Sequence, residues 1–125
     1  MRTAVTRLLE LGPFPSENDD RLPLEESMAL LEEYANLLGS LEWPATDEEA
    51  MSLLDVFNPN EEDSCFGLAW TLLHLIETAP SWPGAPATTE IGRAFEARLQ
   101  GNDEPWMQFL WERIQNGRRW REQGA

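Results

Sequence analysis

The stretch DSCFGLAWTLLHLIETAPSWP, residues 63–83, decides the fold of this chain. Its apolar residues cover most of the circumference of a helix, a pattern typical of a helix buried at the centre of a domain. Asp63 or Ser64 is the expected N-cap, and Pro80 ends the helix. The pattern therefore predicts a central core helix, with Trp70 among its buried residues.

The same stretch holds the only cysteine and the only histidine of the chain, Cys65 and His74. Nine residues of regular helix place them on opposite sides, so a Cys–His nucleophile pair within this helix is excluded. Cys65 is predicted to be a small core residue. His74 is predicted to be a hydrogen-bonded structural histidine, and the alternative is a partner-binding or pH-sensing position.

The remainder of the chain divides into amphipathic segments separated by glycine, proline and asparagine. The sequence predicts an all-α protein, a single compact helical domain of about six helices over residues 1–125. The further segments with apolar residues at helical spacing are residues 2–12, 22–41, 42–59, 87–102 and 102–117.

Capping and stop signals refine these segments. Thr46 and Glu49 form the pattern of a capping box, and Gly117 is the expected end of the last strong helix. In residues 22–41, spacings of three and four predict a buried stripe made of Leu24, Met28, Leu31, Ala35 and Leu38.

Charge is the unusual feature of the composition. The formal net charge is -14, every basic residue is an arginine, and no arginine lies between Leu22 and Gly92, a span rich in Asp and Glu. Such a field repels nucleic acid and anionic membranes and attracts a basic partner. The alternative interpretation is a solvated acidic surface that maintains solubility.

Signatures of catalysis, cofactor binding and membrane insertion are missing from the sequence. One histidine is too few for a di-iron bundle, and no phosphate-binding, dinucleotide-binding or nucleophile-elbow motif occurs. The apolar runs are too short to span a membrane, and Thr6, Arg7 and Glu10 interrupt any signal-peptide core. We therefore expect a cytoplasmic protein that is not an enzyme and that uses no metal or cofactor.

Aromatic and acidic residues supply the candidate contacts with a partner. Trp43 and Trp82 each precede a proline and are expected in loops, where they either cover the core or anchor an interface. Tyr34 lies off the predicted stripe and is expected to be exposed. The predicted partner-binding residues are Glu32, Glu33, Tyr34, Trp43, Glu48, Glu49, Glu61, Glu62, His74 and Trp82.

A small, strongly acidic, all-helical chain without catalytic residues resembles the bacterial immunity proteins. The resemblance covers the general character of the chain, with its acidic helices and the stretch SCFGLAWTLLHLIETAPSWP. It implies a protein that occludes a cognate basic toxin or nuclease. Two alternatives remain open: a helical adaptor that self-associates, and a small enzyme that uses carboxylates.

Overall fold

Helices joined by loops make up the fold in a computed structural model that describes residues 1–17, 21–84 and 87–124, with side chains through Trp120. The helices are α1 (Thr3–Leu11), α2 (Leu24–Ser40), α3 (Asp47–Leu53), α4 (Leu68–Ile76), α5 (Glu90–Leu99) and α6 (Pro105–Gly124). A 3₁₀ turn at Leu54–Val56 extends α3. The described residues contain no strand, so the all-α prediction is confirmed.

The predicted core helix, α4, is buried along most of its circumference. Leu72, Leu73 and Ile76 are fully buried in it. It packs against α2 and α3, and its Trp70 contacts two aromatic rings of α6. Cys65, just before α4, is also buried and is part of the same hydrophobic core, as predicted. Burial raises the pKa of its thiol to about 12, so the sulfur stays protonated.

The N-terminal helices form one side of the core. Helix α1 packs against α2 and α3 through buried Val5 and Leu8, and it ends at Gly12, whose positive φ suits a residue without a side chain. Helix α3 begins with the predicted capping box of Thr46 and Glu49. None of the described helices combines the length and the apolar character needed to cross a membrane.

Helices α5 and α6 pack against each other and close the other side. Trp106, Leu110 and Ile114 of α6 are buried. Two hydrogen bonds from Arg113 to the carboxylate of Glu77, at 3.0 and 2.9 Å, tie α6 to the end of α4. This pairing links the middle of α6 to the C-terminal end of α4.

Four details of the predicted pattern are wrong. Leu24 and Met28 are 75% and 60% exposed, because no helix covers the first turns of α2, and Ala35 is also exposed. Trp70 is 41% exposed. Helix α4 begins at Leu68, because residues 65–67 adopt a left-handed turn. Helix α6 runs past Gly117, because one glycine costs only about 1 kcal/mol in a helix.

Candidate protein-interaction surface

Ion pairs inside the fold neutralise part of the acidic span. All of the arginines involved come from outside residues 22–92, and each pairs with an acid inside it. The pairs are Arg2–Glu49, Arg7–Glu33, Arg98–Asp55 and Arg113–Glu77. The arginines therefore neutralise these acids, which add little net negative charge to the surface that an external partner would meet.

Other acids of the span remain open to solvent. Within the described part of the chain they are exposed and no arginine pairs with them. We call this set the open acids: Glu25, Glu26, Glu32, Glu42, Glu48, Glu61, Glu62 and Glu90. The predicted contacts Glu32, Glu48, Glu61 and Glu62 thus lie on the surface, whereas Glu33 is half-buried against Arg7.

Glu49 was predicted to contact a partner, and this is wrong because its side chain is 1% exposed. Its carboxylate accepts hydrogen bonds from the guanidinium and the backbone N–H of Arg2 and from the backbone N–H of Thr46. These bonds, those from Arg2 above all, lower the pKa of Glu49 to about 2. Glu49 is the acid that fastens the N-terminus to the start of α3.

The exposure predicted for Tyr34 is also wrong, because the residue is 1% exposed. Its ring packs edge-to-face on Phe14, with centroids 5.0 Å apart. Its hydroxyl lies 2.8 Å from the carbonyl oxygen of Gly12, to which it donates. Burial raises the pKa of Tyr34 to about 12. Tyr34 therefore closes the C-terminal end of α1 and is unavailable to a partner.

An apolar groove lies where the sequence predicted core. The exposed parts of Leu22, Leu24, Met28 and Phe66 line a cavity of about 350 Å³, which Leu31 and Pro15 complete. We call this set the α2 groove. Exposed apolar side chains gathered in one place mark interaction sites more often than isolated ones do. Residue spacing alone gave no sign of this groove, because the same spacing predicts core.

Acids flank the α2 groove. Glu17 lies in its lining. Glu25 and Glu32 are seven residues apart, about two helical turns, so both project beside the face of α2 that carries Leu24 and Met28. The groove thus presents apolar anchors beside negative charge.

Phe66 reaches the groove from a left-handed turn. Cys65, Phe66 and Gly67 have φ values of 47°, 56° and 88°. Such a backbone is costly for a bulky residue. Side chains compensate this cost: the carboxylate of Glu17 accepts from the Phe66 N–H at 2.7 Å, and the hydroxyl of Ser64 accepts from the Gly67 N–H at 3.1 Å. A strained backbone that holds a ring 66% exposed is a feature often found at binding sites.

Replacing Phe66 with asparagine is expected to leave the free energy of unfolding unchanged or to raise it by about 1 kcal/mol. Asparagine tolerates left-handed backbone, and the exposed ring contributes little packing. Urea unfolding measures the change. The control is Phe66→Ala, which also removes the ring but keeps the backbone cost, so it should be less stable than the asparagine variant by about 1 kcal/mol. Equal stability of the two variants would mean that no strain is stored at this position.

Three aromatic rings meet near Glu62. Trp70 of α4 and Trp106 and Phe109 of α6 lie with centroids 5.3 to 5.6 Å apart and interplanar angles of 85° to 89°. Together with Pro105 and Glu62 they line a cavity of about 150 Å³, which we call the aromatic pocket. Trp106 is buried, stacks on Phe57 and donates its indole N–H to the carbonyl of Asp63.

Trp43, Trp82 and His74, the other predicted contacts, line neither the α2 groove nor the aromatic pocket. Trp43 is 66% exposed in the loop before α3. Trp82 is half-buried and packs edge-to-face on Phe95 at 5.2 Å, so it covers the core. His74 is exposed beside Trp70, and its Nδ1 lies 3.7 Å from Glu77, a carboxylate already bound by Arg113.

Among the described residues, no group of three or more His, Cys, Asp or Glu side chains is arranged to hold a metal ion. Comparison with protein-family models, with curated proteins and with solved structures found no match to this chain. The fold and the surface define an all-α protein whose exposed acids lie beside apolar grooves and pockets.

Proposed function

We propose that this protein binds a basic protein partner and occludes it, as an immunity or inhibitor protein does. The observation that carries the proposal is the α2 groove, in which exposed Leu24, Met28 and Phe66 lie beside the open acids Glu25 and Glu32. Apolar anchors supply affinity and the flanking charge supplies attraction and orientation.

Charge supports a basic partner. The net charge is -14, and four of the nine arginines are already paired with Glu33, Glu49, Asp55 and Glu77 of the acidic span. The open acids are left to generate an external field. Such a field accelerates encounter with a cationic surface and disfavours nucleic acid and anionic lipid. A cytoplasmic toxin or nuclease target fits this chemistry.

The apolar residues of the groove support a protein partner. Leu24 and Met28 lie one helical turn apart and Phe66 faces the same cavity, so together they can receive apolar side chains of a docked segment. The strained turn beneath Phe66 also favours function over packing, since an asparagine or glycine there would avoid the cost. A purely solvated surface has no need of these features.

Self-association through the α2 groove is the second candidate, and the exposed Leu24 and Met28 favour it. Charge argues against it, because two copies docked by this face would bring Glu17, Glu25 and Glu32 of each chain together. Like charges placed across an interface weaken it. Sedimentation equilibrium at low and high salt separates the two: a dimer that tightens as salt rises would replace the basic partner as the occupant.

The proposal is tested by the kinetics of partner binding. A basic protein captured by this chain at physiological salt is purified, and its association is measured against charge-reversed variants. The variant Glu25→Lys with Glu32→Lys should lower the association rate about tenfold or more at low salt, and the difference should shrink as salt rises. The variant should lose no more than about 1 kcal/mol of stability, because both positions are exposed and only Glu25 lies in the first turn of α2.

A matched pair that does not line the α2 groove serves as the control. Glu48→Lys with Glu90→Lys changes the net charge by the same amount at two exposed positions on α3 and α5. Its effect on association should be several-fold smaller. Equal rates for the wild type and both variants would contradict the proposal, as would a partner whose toxicity or activity this chain fails to suppress when the two are expressed together.

The predicted pairs at positions 32–33 and 48–49 are less suitable for this test. Each contains one acid that is already paired with an arginine of the chain, Glu33 with Arg7 at the surface and buried Glu49 with Arg2. Reversal of either pair would mix a loss of stability with a loss of binding. Glu61 and Glu62 are both exposed and stay suitable.

A further inference from the structure

We propose that the aromatic pocket of Trp70, Trp106, Phe109 and Glu62 binds the guanidinium of an arginine presented by the partner. The identity of the arginine's source rests on the proposed function, whereas the pocket itself is tested on this protein alone. The aromatic pocket would be a second contact with the partner, and none of its residues lines the α2 groove.

Aromatic faces attract cations, and tryptophan does so best. In the pocket the three rings stand nearly at right angles to one another, with centroids at 5.3 to 5.6 Å, and they line a cavity of about 150 Å³ together with Pro105 and Glu62. An apolar cavity of about this volume can hold a benzene molecule, so a guanidinium fits. The cavity reaches solvent along Trp70, which is 41% exposed, and along half-buried Phe109.

The carboxylate of Glu62 adds negative charge to the aromatic pocket, and this charge favours a cation. The exposed side chain of Glu62 lines the pocket, and within the described residues no arginine pairs with it. A planar guanidinium can stack on a ring and direct its N–H donors to a carboxylate at the same time, which the compact ammonium of lysine does less well. Glu62 therefore favours arginine over a neutral side chain of the same shape.

No cation of the described chain already occupies the rings. Among the described side chains, the arginine that lies over a tryptophan is Arg118, at 5.8 Å from the ring of Trp111, on later turns of α6. The ring of His74, on α4, has its centroid 6.5 Å from that of Trp70 at a tilt of 32°, and His74 does not line the cavity. The cavity that Trp70, Trp106 and Phe109 line is therefore left for an external group.

The floor of the pocket is held rigidly. Trp106 stacks on Phe57 at 5.3 Å and donates its indole N–H to the Asp63 carbonyl at 3.3 Å. This hydrogen bond also positions the loop that carries Glu62. Trp106 is therefore unsuitable for a binding test, since its removal would disturb the core, whereas Trp70, Phe109 and Glu62 can be varied.

The test is a titration of the protein with N-acetylarginine amide, followed by NMR of the tryptophan indole N–H signals. The control probe is N-acetylcitrulline amide, which has nearly the same shape and no charge. We expect saturable shifts of the Trp70 signal with a dissociation constant in the millimolar range, and binding of the citrulline probe weaker by about threefold or more. Equal binding of both probes would overturn the inference.

Variants locate the binding. Glu62→Gln and Phe109→Leu should each weaken binding of the arginine probe by about threefold to tenfold, and Trp70→Leu should abolish the shift that the probe causes in the Trp106 signal. The matched charge control, Glu90→Gln, should bind as the wild type does. Shifts that map to exposed Trp43 or Trp120, or unchanged binding by Glu62→Gln in a folded protein, would overturn the inference.

The two proposals can fail separately. If the arginine probe binds this pocket but no basic partner is suppressed by the chain, the proposed function fails and the pocket stands. If the partner binds with the same affinity to Trp70→Leu and Glu62→Gln as to the wild type, the proposed function stands and the pocket has no part in it.

Discussion

Replacing Leu72 with alanine is expected to lower the free energy of unfolding by about 2 to 5 kcal/mol. Leu72 lies in the middle of α4, fully buried, where α2 and α3 pack. The substitution removes apolar contacts and leaves a cavity that the surrounding helices can fill only in part. Ile76, one turn later and also fully buried, should show a loss of similar size.

The measurement is urea unfolding followed by the helical circular dichroism signal. A lower midpoint with an unchanged slope identifies a loss of stability rather than a change in the unfolded state. Thr71→Ala is the matched control, because it changes an exposed neighbour on the same helix and should stay within about 0.5 kcal/mol. A cost below about 1 kcal/mol for Leu72→Ala would mean that α4 is not the centre of the core.

This centre could be predicted from the sequence because an apolar circumference has one stable solution, which is burial on all sides. The same reasoning failed for Trp70, which is 41% exposed although it lies on the same helix. Local pattern shows which residues are apolar, but the extent of their coverage depends on neighbours far along the chain. Here α6 and the loop before α4 leave one side of Trp70 open, and this opening forms the aromatic pocket.

The same limit explains the rotated stripe of α2. Spacing placed Leu24, Met28, Ala35 and Leu38 in the core, whereas the structure buries Leu38 together with Tyr34 and leaves the other three exposed. Tyr34 is drawn inward because its ring packs on Phe14 and its hydroxyl finds carbonyl acceptors at the end of α1. Acceptors more than twenty residues away leave no local signal in the sequence.

The turn before α4 could be predicted only in part from the sequence. Ser64 and Gly67 are turn-forming residues, and glycine admits left-handed backbone. The helix was nevertheless predicted to start at Asp63 or Ser64, because the apolar pattern continues through Phe66. In the structure the carboxylate of Glu17 stabilises this turn by accepting a hydrogen bond from the Phe66 N–H. Glu17 belongs to a loop whose position near Phe66 could not be predicted from the sequence.

Replacement of Glu48 by lysine and replacement of Glu49 by lysine should lower the free energy of unfolding by very different amounts. Glu48 is exposed, and its reversal should cost no more than about 1 kcal/mol, mainly from the lost interaction with the start of α3. Glu49 is 1% exposed and accepts hydrogen bonds from Arg2 and Thr46. Its reversal should cost about 3 kcal/mol or more, since it leaves a cation beside Arg2 in a buried position.

The contribution of Glu49 to the free energy of unfolding should also depend on pH. Its folded pKa is about 2, below the usual value near 4.5, so the folded state holds the charged form more tightly than the unfolded state does. The stabilisation is therefore fully present above about pH 4.5 and is lost as the pH falls toward 2. Because Arg2 is 38% exposed and partly hydrated, we expect about 2 kcal/mol rather than the full value of the shift.

Urea unfolding of the wild type and Glu49→Gln at several pH values tests this expectation. Glutamine keeps the size of the side chain but cannot ionise, so the wild type should be more stable by about 2 kcal/mol at pH 7 and the difference should shrink between pH 4.5 and 2. Glu48→Gln is the control and should show no such convergence. A difference for Glu49→Gln that stays constant down to pH 3 would show that Arg2 does not hold the carboxylate of Glu49 as an anion.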